Sequence, residues 1–236
     1  MQKILTPLAF LFATAMVVGV FVITESKDLD QERDPSDKNN QTDSDISTTD
    51  VLADLDLRKW QIRDNNTVGR QEAPVKLVQY SDYGCHFCHR FWEEVLPKLK
   101  EEFIDTGVLQ YEYRDATLHG GHRASEAVWC AEDQDHFWEY HDLLNSRYEK
   151  DRHRWNIAGV HQSYAAALGL EVSEFMDCFN ERKYRQKVEE STGLARRQED
   201  IPGVPYFLVN GKEVIGFKDH EHLKELIKEE LEKDDE

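Results

Sequence analysis

The chain has 236 residues, room for one domain of ordinary size plus appendages. Its formal charge is −18, which argues against a nucleic-acid partner, because phosphate binding needs a basic surface. The acid is uneven: Asp and Glu outnumber Lys and Arg by 8 over residues 25–57 and by 6 over 219–236, and both runs read as solvated, self-repelling surface.

Ile4 to Thr24 carries no charge, with Lys3 before it and Glu25 after it. About 20 apolar residues suit a bilayer core. An uncleaved signal anchor over residues 1–24 is expected, with its basic end in the cytoplasm. The alternative is a cleaved signal, for which Ala13-Thr14-Ala15 has the small-x-small form. Either way the rest of the chain is expected outside, on the periplasmic or extracellular face, anchored or secreted. Residues 25–57 are rich in Asp, Ser, Thr, Asn and Gln. Such a segment buries too little apolar surface to order itself and reads as an acidic, disordered linker. Ile46 to Leu57 regains some apolar residues and is placed where the linker begins to touch the domain.

The folded body is expected over 58–236. Val68 to Pro74 reads as a turn or loop. Val75 to Ser81 reads as a strand and Val108 to Tyr113 as another. Between them lies an amphipathic helix with Phe91, Val95, Leu96, Leu99 and Phe103 on one side and a kink at Pro97. Strand, helix, strand implies a parallel pair with a right-handed crossover. Residues of about 116–200 read as a helical block: Ala124–Gln134, His136–Arg147, Ile157–Leu168, Val172–Asn180 and Tyr184–Gln198. Gly169 is expected to end the third of these and Ser173 to cap the fourth. Ile201 to Pro205 breaks helix. Tyr206–Val209 and Glu213–Phe217 read as strands joined by the hairpin signal Asn210-Gly211. A final helix over Asp219–Leu231 turns Leu223, Leu226, Ile227 and Leu231 inward.

Cys85-His86-Phe87-Cys88 falls where the first strand ends and the first helix begins. A helix N-terminus has free N–H groups and a partial positive charge, which stabilise a thiolate, the nucleophile of disulfide exchange. Cys85, at the helix mouth, is the expected attacker and Cys88, one turn in, the resolving thiol. Cys130 and Cys178 bring the total to four. An even count behind a membrane-targeting N-terminus points to an oxidising compartment.

An α/β order of βαβ, helical block, ββα looks like a thioredoxin-like fold with a helical insertion. The chain resembles the DsbA-like thiol-disulfide oxidoreductases, in particular the membrane-anchored BdbD type. The likeness rests on Gln79 to Cys88, Cys130 to His141 and Gly203 to Gly211, and spans roughly residues 66–231. It implies a cis bond at Val204-Pro205, packed beside the cysteine pair, and a backbone there that pairs with an extended substrate. It also implies a structural disulfide Cys130–Cys178, two free buried thiols being the alternative.

Three features depart from that pattern. His86 stands where relatives often have proline, and an imidazolium there favours a Cys85 thiolate; Phe87 beside it is the other residue between the sulfurs. Gln79 stands where relatives place a buried acid. It hydrogen-bonds but cannot titrate, so the Cys88 proton must use water or another group, with Asp82 a candidate. His89 completes Cys-x-x-Cys-His, which is also a c-type haem signature. The motif is too tightly set between strand and helix for a macrocycle, and Met176 is the only methionine beyond the N-terminal segment. Zinc at Cys85 and Cys88 lacks a matching histidine pair. Phe137, Trp138 and Tyr140 read as core, or as a substrate-facing surface.

No cofactor and no metal is therefore expected. The function expected is an extracytoplasmic dithiol oxidase that introduces disulfides into reduced secreted or membrane proteins. A membrane-bound, quinone-linked re-oxidase of the DsbB or VKOR type is its expected partner. The same chemistry run as a reductase or isomerase is the alternative. A non-enzymatic thioredoxin-like binding module is a third reading, disfavoured by the retained cysteines and Val204-Pro205.

Overall fold

The computed structural model describes residues 46–53, 58, 60, 63–197 and 200–234. The anchor expected over 1–24, and most of the linker, lie outside the described residues. Among the described residues no helix is long and apolar enough to cross a membrane. The stretch expected as linker is ordered at its end. Helix α1 (Thr48–Ala53) buries Val51 completely, Ile46 also joins the core, and the Arg147 side chain donates to the Asp50 carbonyl at 3.1 Å. Two apolar side chains suffice to dock a segment whose composition is otherwise that of a tether.

The strands β1 (Arg63–Asp64) and β2 (Thr67–Val68) form a small antiparallel hairpin, absent from the sequence reading. Asn65 turns it in the left-handed region, φ 47°, which Asn tolerates. The central strand β3 (Val75–Ser81) is buried at every position except Lys76, the mark of a strand covered on both faces. It pairs in parallel with β4 (Leu109–Asp115), Val75 opposite Leu109 and Ser81 opposite Asp115. The connecting crossover is helical from His86 to Ile104. It runs as α2 (His86–Arg90), a wider π turn (Phe91–Val95), α3 (Leu96–Leu99) and a second π turn (Lys100–Ile104). Pro97 has no N–H to give and its ring crowds the preceding turn; the first π turn, closed by the Leu96 N–H on the Phe91 carbonyl, absorbs that. Phe91, Val95, Leu96, Leu99 and Phe103 all face inward.

The helical block follows as α4 (His122–Glu132), α5 (Phe137–Ser146), α6 (Tyr148–Asp151), a 3-10 turn (Arg152–Arg154), α7 (Ala158–Ala167), α8 (Val172–Glu181) and α9 (Arg185–Arg197). Gly169, at φ 75°, stops α7, with the Leu170 N–H closing back on the Ala165 carbonyl. Ser173 does not cap α8: it lies within the first turn, after Glu171, and no side chain caps that end. Cys130 on α4 and Cys178 on α8 are joined as a disulfide. Phe137, Trp138 and Tyr140 are buried core, so they present no substrate surface.

Strands β5 (Tyr206–Val209) and β6 (Lys212–Ile215) close the sheet, whose order is β1-β2-β4-β3-β5-β6. The Asn210-Gly211 turn has φ of 46° and 85°, the positive pair a tight hairpin requires. Helix α10 (His220–Asp234) buries Leu223, Leu226 and Ile227 and packs with α3 on the sheet. Alternation along β3 sends Leu77 and Gln79 to one side, Val78 and Tyr80 to the other. Val78 and Tyr80 join both active cysteines, Ala195 of α9, Val204 and Tyr206 in a second apolar cluster.

The Cys130–Cys178 link closes a 48-residue separation. Replacing both, Cys130→Ser with Cys178→Ser, is expected to lower the unfolding free energy by about 4 kcal/mol in the chain-entropy model. Urea denaturation reads this directly, and an unchanged midpoint contradicts it.

Candidate active site

Cys85 is the N-cap residue of α2, with extended backbone (φ −90°, ψ 120°) and no side chain capping that end. Its own sulfur stands where a capping oxygen usually does. The turn that delivers it is closed by the Cys85 N–H on the Asp82 carbonyl, 2.9 Å. Across from it the Val204–Pro205 bond is cis, and the Val204 carbonyl oxygen lies 3.5 Å from Cys85 Sγ. Both cysteines are free thiols and both are buried.

The two sulfurs are not equivalent. The Cys85 thiol is lowered to about 6, first by the hydrogen bond from the Cys88 thiol, against the opposing cost of burial. The N–H groups of Cys88 and Phe87 and the nearby His119 charge add to the lowering. Cys88 is pushed well above the usual thiol range, first by burial and then by the Cys85 sulfur beside it, with Ser81 acting weakly against this. At neutral pH the pair is therefore one thiolate and one thiol, with the negative charge on the outer sulfur.

Asp82 holds the site together. Its Oδ1 accepts the N–H groups of Gly84 (2.7 Å) and Gly121 (3.0 Å), and its Oδ2 accepts that of His119. A carboxylate satisfying three backbone donors is a staple, so the sequence expectation of Asp82 as a proton carrier gives way to a structural role. Gly84 is required here, because a Cβ would come within 2.5 Å of the His119 carbonyl. This staple fixes the loop bearing His119, which acts electrostatically to lower the Cys85 thiol, against the cysteine turn. Sequence reading left His119 without a role; Gly120-Gly121, at the head of α4, was the available signal.

His86, expected to supply that charge, is exposed and its ring leans on Phe87 and Tyr148, 5.7 Å and 6.3 Å between centroids. Phe87 is 50% exposed, a large apolar side chain at the rim of the sulfur pair. His89 is buried, not solvent-facing, with its ring stacked on Tyr148 at 4.4 Å. Gln79 is buried between Tyr111, whose hydroxyl it accepts, and Ser81, to whose Oγ it donates at 3.3 Å. It sits in a polar chain behind Cys88 without being able to titrate.

Lowering of the folded-state pKa means that ionised Cys85 stabilises the reduced protein at high pH, and that this is lost as pH falls through about 6. The reduced form, measured against the oxidised form, is expected to gain roughly 2–3 kcal/mol between pH 5 and pH 8. Paired urea titrations at both values test it. A difference that does not change with pH would mean that Cys85 is not acidified.

The thioredoxin family model matches residues 63–229. Disulfide bond formation protein D of Bacillus subtilis (strain 168) is 29% identical over 176 residues, covering 72% of this chain and 78% of that protein. Among solved structures, oxidised BdbD from Bacillus subtilis superposes with a TM-score of 0.65 at 26% identity, covering 71% of this chain and 93% of that one. Wolbachia pipientis alpha-DsbA1 gives 0.60 at 25% identity, covering 73% and 93%.

Proposed function

Because this chain belongs to the thioredoxin family, as a DsbA-like protein thiol-disulfide oxidoreductase, we propose that it is a dithiol oxidase that puts disulfides into reduced secreted or membrane proteins outside the cytoplasm. The observation that carries this direction is the split between the sulfurs: Cys85 lowered to about 6, Cys88 pushed up. Whatever stabilises the thiolate of the reduced pair makes the corresponding disulfide a stronger oxidant.

The reaction begins with Cys85 and Cys88 joined. A substrate thiolate attacks Cys85 Sγ, the Cys85–Cys88 bond breaks, and its electron pair goes to Cys88, which takes up a proton. A second substrate thiolate then attacks the substrate sulfur of the mixed disulfide. Cys85 leaves as a thiolate, and its acidity makes it a good leaving group at neutral pH. The substrate has lost two electrons and the cysteine pair has gained them. Exposed Phe87 offers the docked chain an apolar contact, and the Val204-Pro205 backbone beside Cys85 offers it hydrogen bonding.

The reduced pair needs an electron acceptor, and a membrane-bound, quinone-linked re-oxidase of the DsbB or VKOR type fits a signal anchor over residues 1–24. The Cys130–Cys178 disulfide supports an oxidising compartment.

Oxidised protein mixed with a reduced, unfolded secreted protein is expected to transfer its disulfide one for one, leaving Cys85 and Cys88 free to alkylation. Cys85→Ala is expected to abolish the transfer. Transfer that survives this substitution, or none from the native protein, contradicts the reading.

A further inference from the structure

On the oxidase reading just given, Cys88 needs a proton each time it leaves the disulfide. Its usual donor, a buried acid, is absent, since Gln79 cannot titrate and Asp82 is occupied by three backbone N–H groups. Directly behind Cys88 is a pocket of about 10 Å³, lined by Ser81, Tyr83, Tyr113, His141 and Asn145 among other buried side chains. That is about the room one water molecule needs. The Tyr113 hydroxyl is buried and makes no hydrogen bond of normal geometry among the described residues, although it lies close enough to Tyr83 to act on that hydroxyl. A buried hydroxyl is costly unless something bonds to it. The pocket is thus polar, of water size, and lined by an unsatisfied hydroxyl.

We propose that this pocket holds one water, and that Tyr83 and His141 deliver protons through it to Cys88. The order of donors follows from the contacts. The Asn145 amide donates to the His141 carbonyl at 2.9 Å and lies 3.4 Å from His141 Nε2, which makes Nε2 an acceptor. Nδ1 then carries the ring hydrogen and donates to the Tyr83 oxygen, 2.7 Å away. The Tyr83 hydrogen is left to point into the pocket, toward the water and Cys88.

When Cys88 leaves as a thiolate, the water gives it a proton and takes one from Tyr83. Tyr83 takes one from Nδ1, and Nε2 takes one from solvent. One proton has crossed, and His141 ends as its other neutral tautomer. Re-oxidation runs the chain backwards and restores it. Burial holds the His141 ring down at about 3, so the imidazole stays neutral throughout, as a relay by tautomer exchange requires. Asn145 and Trp92 also line a second pocket, of about 300 Å³, together with His89, Glu93 and Glu149. That shared wall is the solvent side of the relay.

The test follows exchange of the 85–88 disulfide with glutathione, in both directions, in mixtures of H₂O and D₂O. The native protein is expected to show a curved dependence on deuterium fraction, the sign of several protons in flight. Tyr83→Phe is expected to straighten it and to slow both directions at least about tenfold, with the equilibrium constant unchanged. A straight dependence in the native protein overturns the relay. So do Tyr83→Phe rates within twofold of native, or a slowing matched by a shift in equilibrium, which marks a merely structural role. Should Tyr83→Phe not fold, the native dependence alone decides. Absence of any exchange at 85–88 would overturn the oxidase reading instead, so the two failures are distinguishable.

Discussion

A negative charge held on a nearly buried sulfur is the constraint on which this structure turns. Burial alone would push the Cys85 thiol up. It is lowered to about 6 because donors converge on it: the Cys88 thiol first, then two N–H groups of the helix start, with the His119 charge beyond. Each donor is placed by a different part of the fold. The end of β3 and the start of α2 supply the helix mouth, and the Asp82 staple binds the loop bearing His119 to the cysteine turn. At pH 7, one unit above that value, ionisation favours the reduced pair by roughly 1.4 kcal/mol, or about 30 mV of added oxidising power.

The same arrangement makes the second sulfur difficult. Cys88 is buried beside the charge it helps to create, and both effects hold its proton on. The reaction therefore alternates between an outer sulfur that needs no proton and an inner one that cannot do without one. A fold that stabilises the first must also give the second a path to solvent. The polar cluster of Gln79, Ser81, Tyr83, Tyr113 and His141 lies behind Cys88 in an otherwise apolar core, and its members other than Tyr113 are paired, as buried polar groups must be.

Much of this was legible in the sequence. The spacing of Cys85 and Cys88 at a strand–helix junction, the Gly-Val-Pro segment and the Asn210-Gly211 hairpin are local signals, and local signals survive without three-dimensional context. The apolar stripe from Phe91 to Phe103 and the order of the helices in the block were readable for the same reason. What escaped depends on residues far apart in the chain. Two-residue strands β1 and β2 have no periodicity to detect; they exist because β2 pairs with β4. Val51 enters the core from a stretch whose composition reads as linker. His119 acts on a sulfur 34 positions away through a carboxylate staple that no spacing rule announces. His89 is buried because Tyr148 stacks on it, a contact that one helical turn of sequence cannot show.

The same asymmetry joins fold to direction. If the convergence of donors on Cys85 sets the chemistry, the reduced pair must be unusually stable and the disulfide correspondingly oxidising. The most direct measurement is the midpoint potential of the 85–88 couple, from equilibrium with glutathione at pH 7. A midpoint at or above about −220 mV, on the oxidising side of the thioredoxin value, is expected. A midpoint near or below about −270 mV would contradict it and make the protein a reductant.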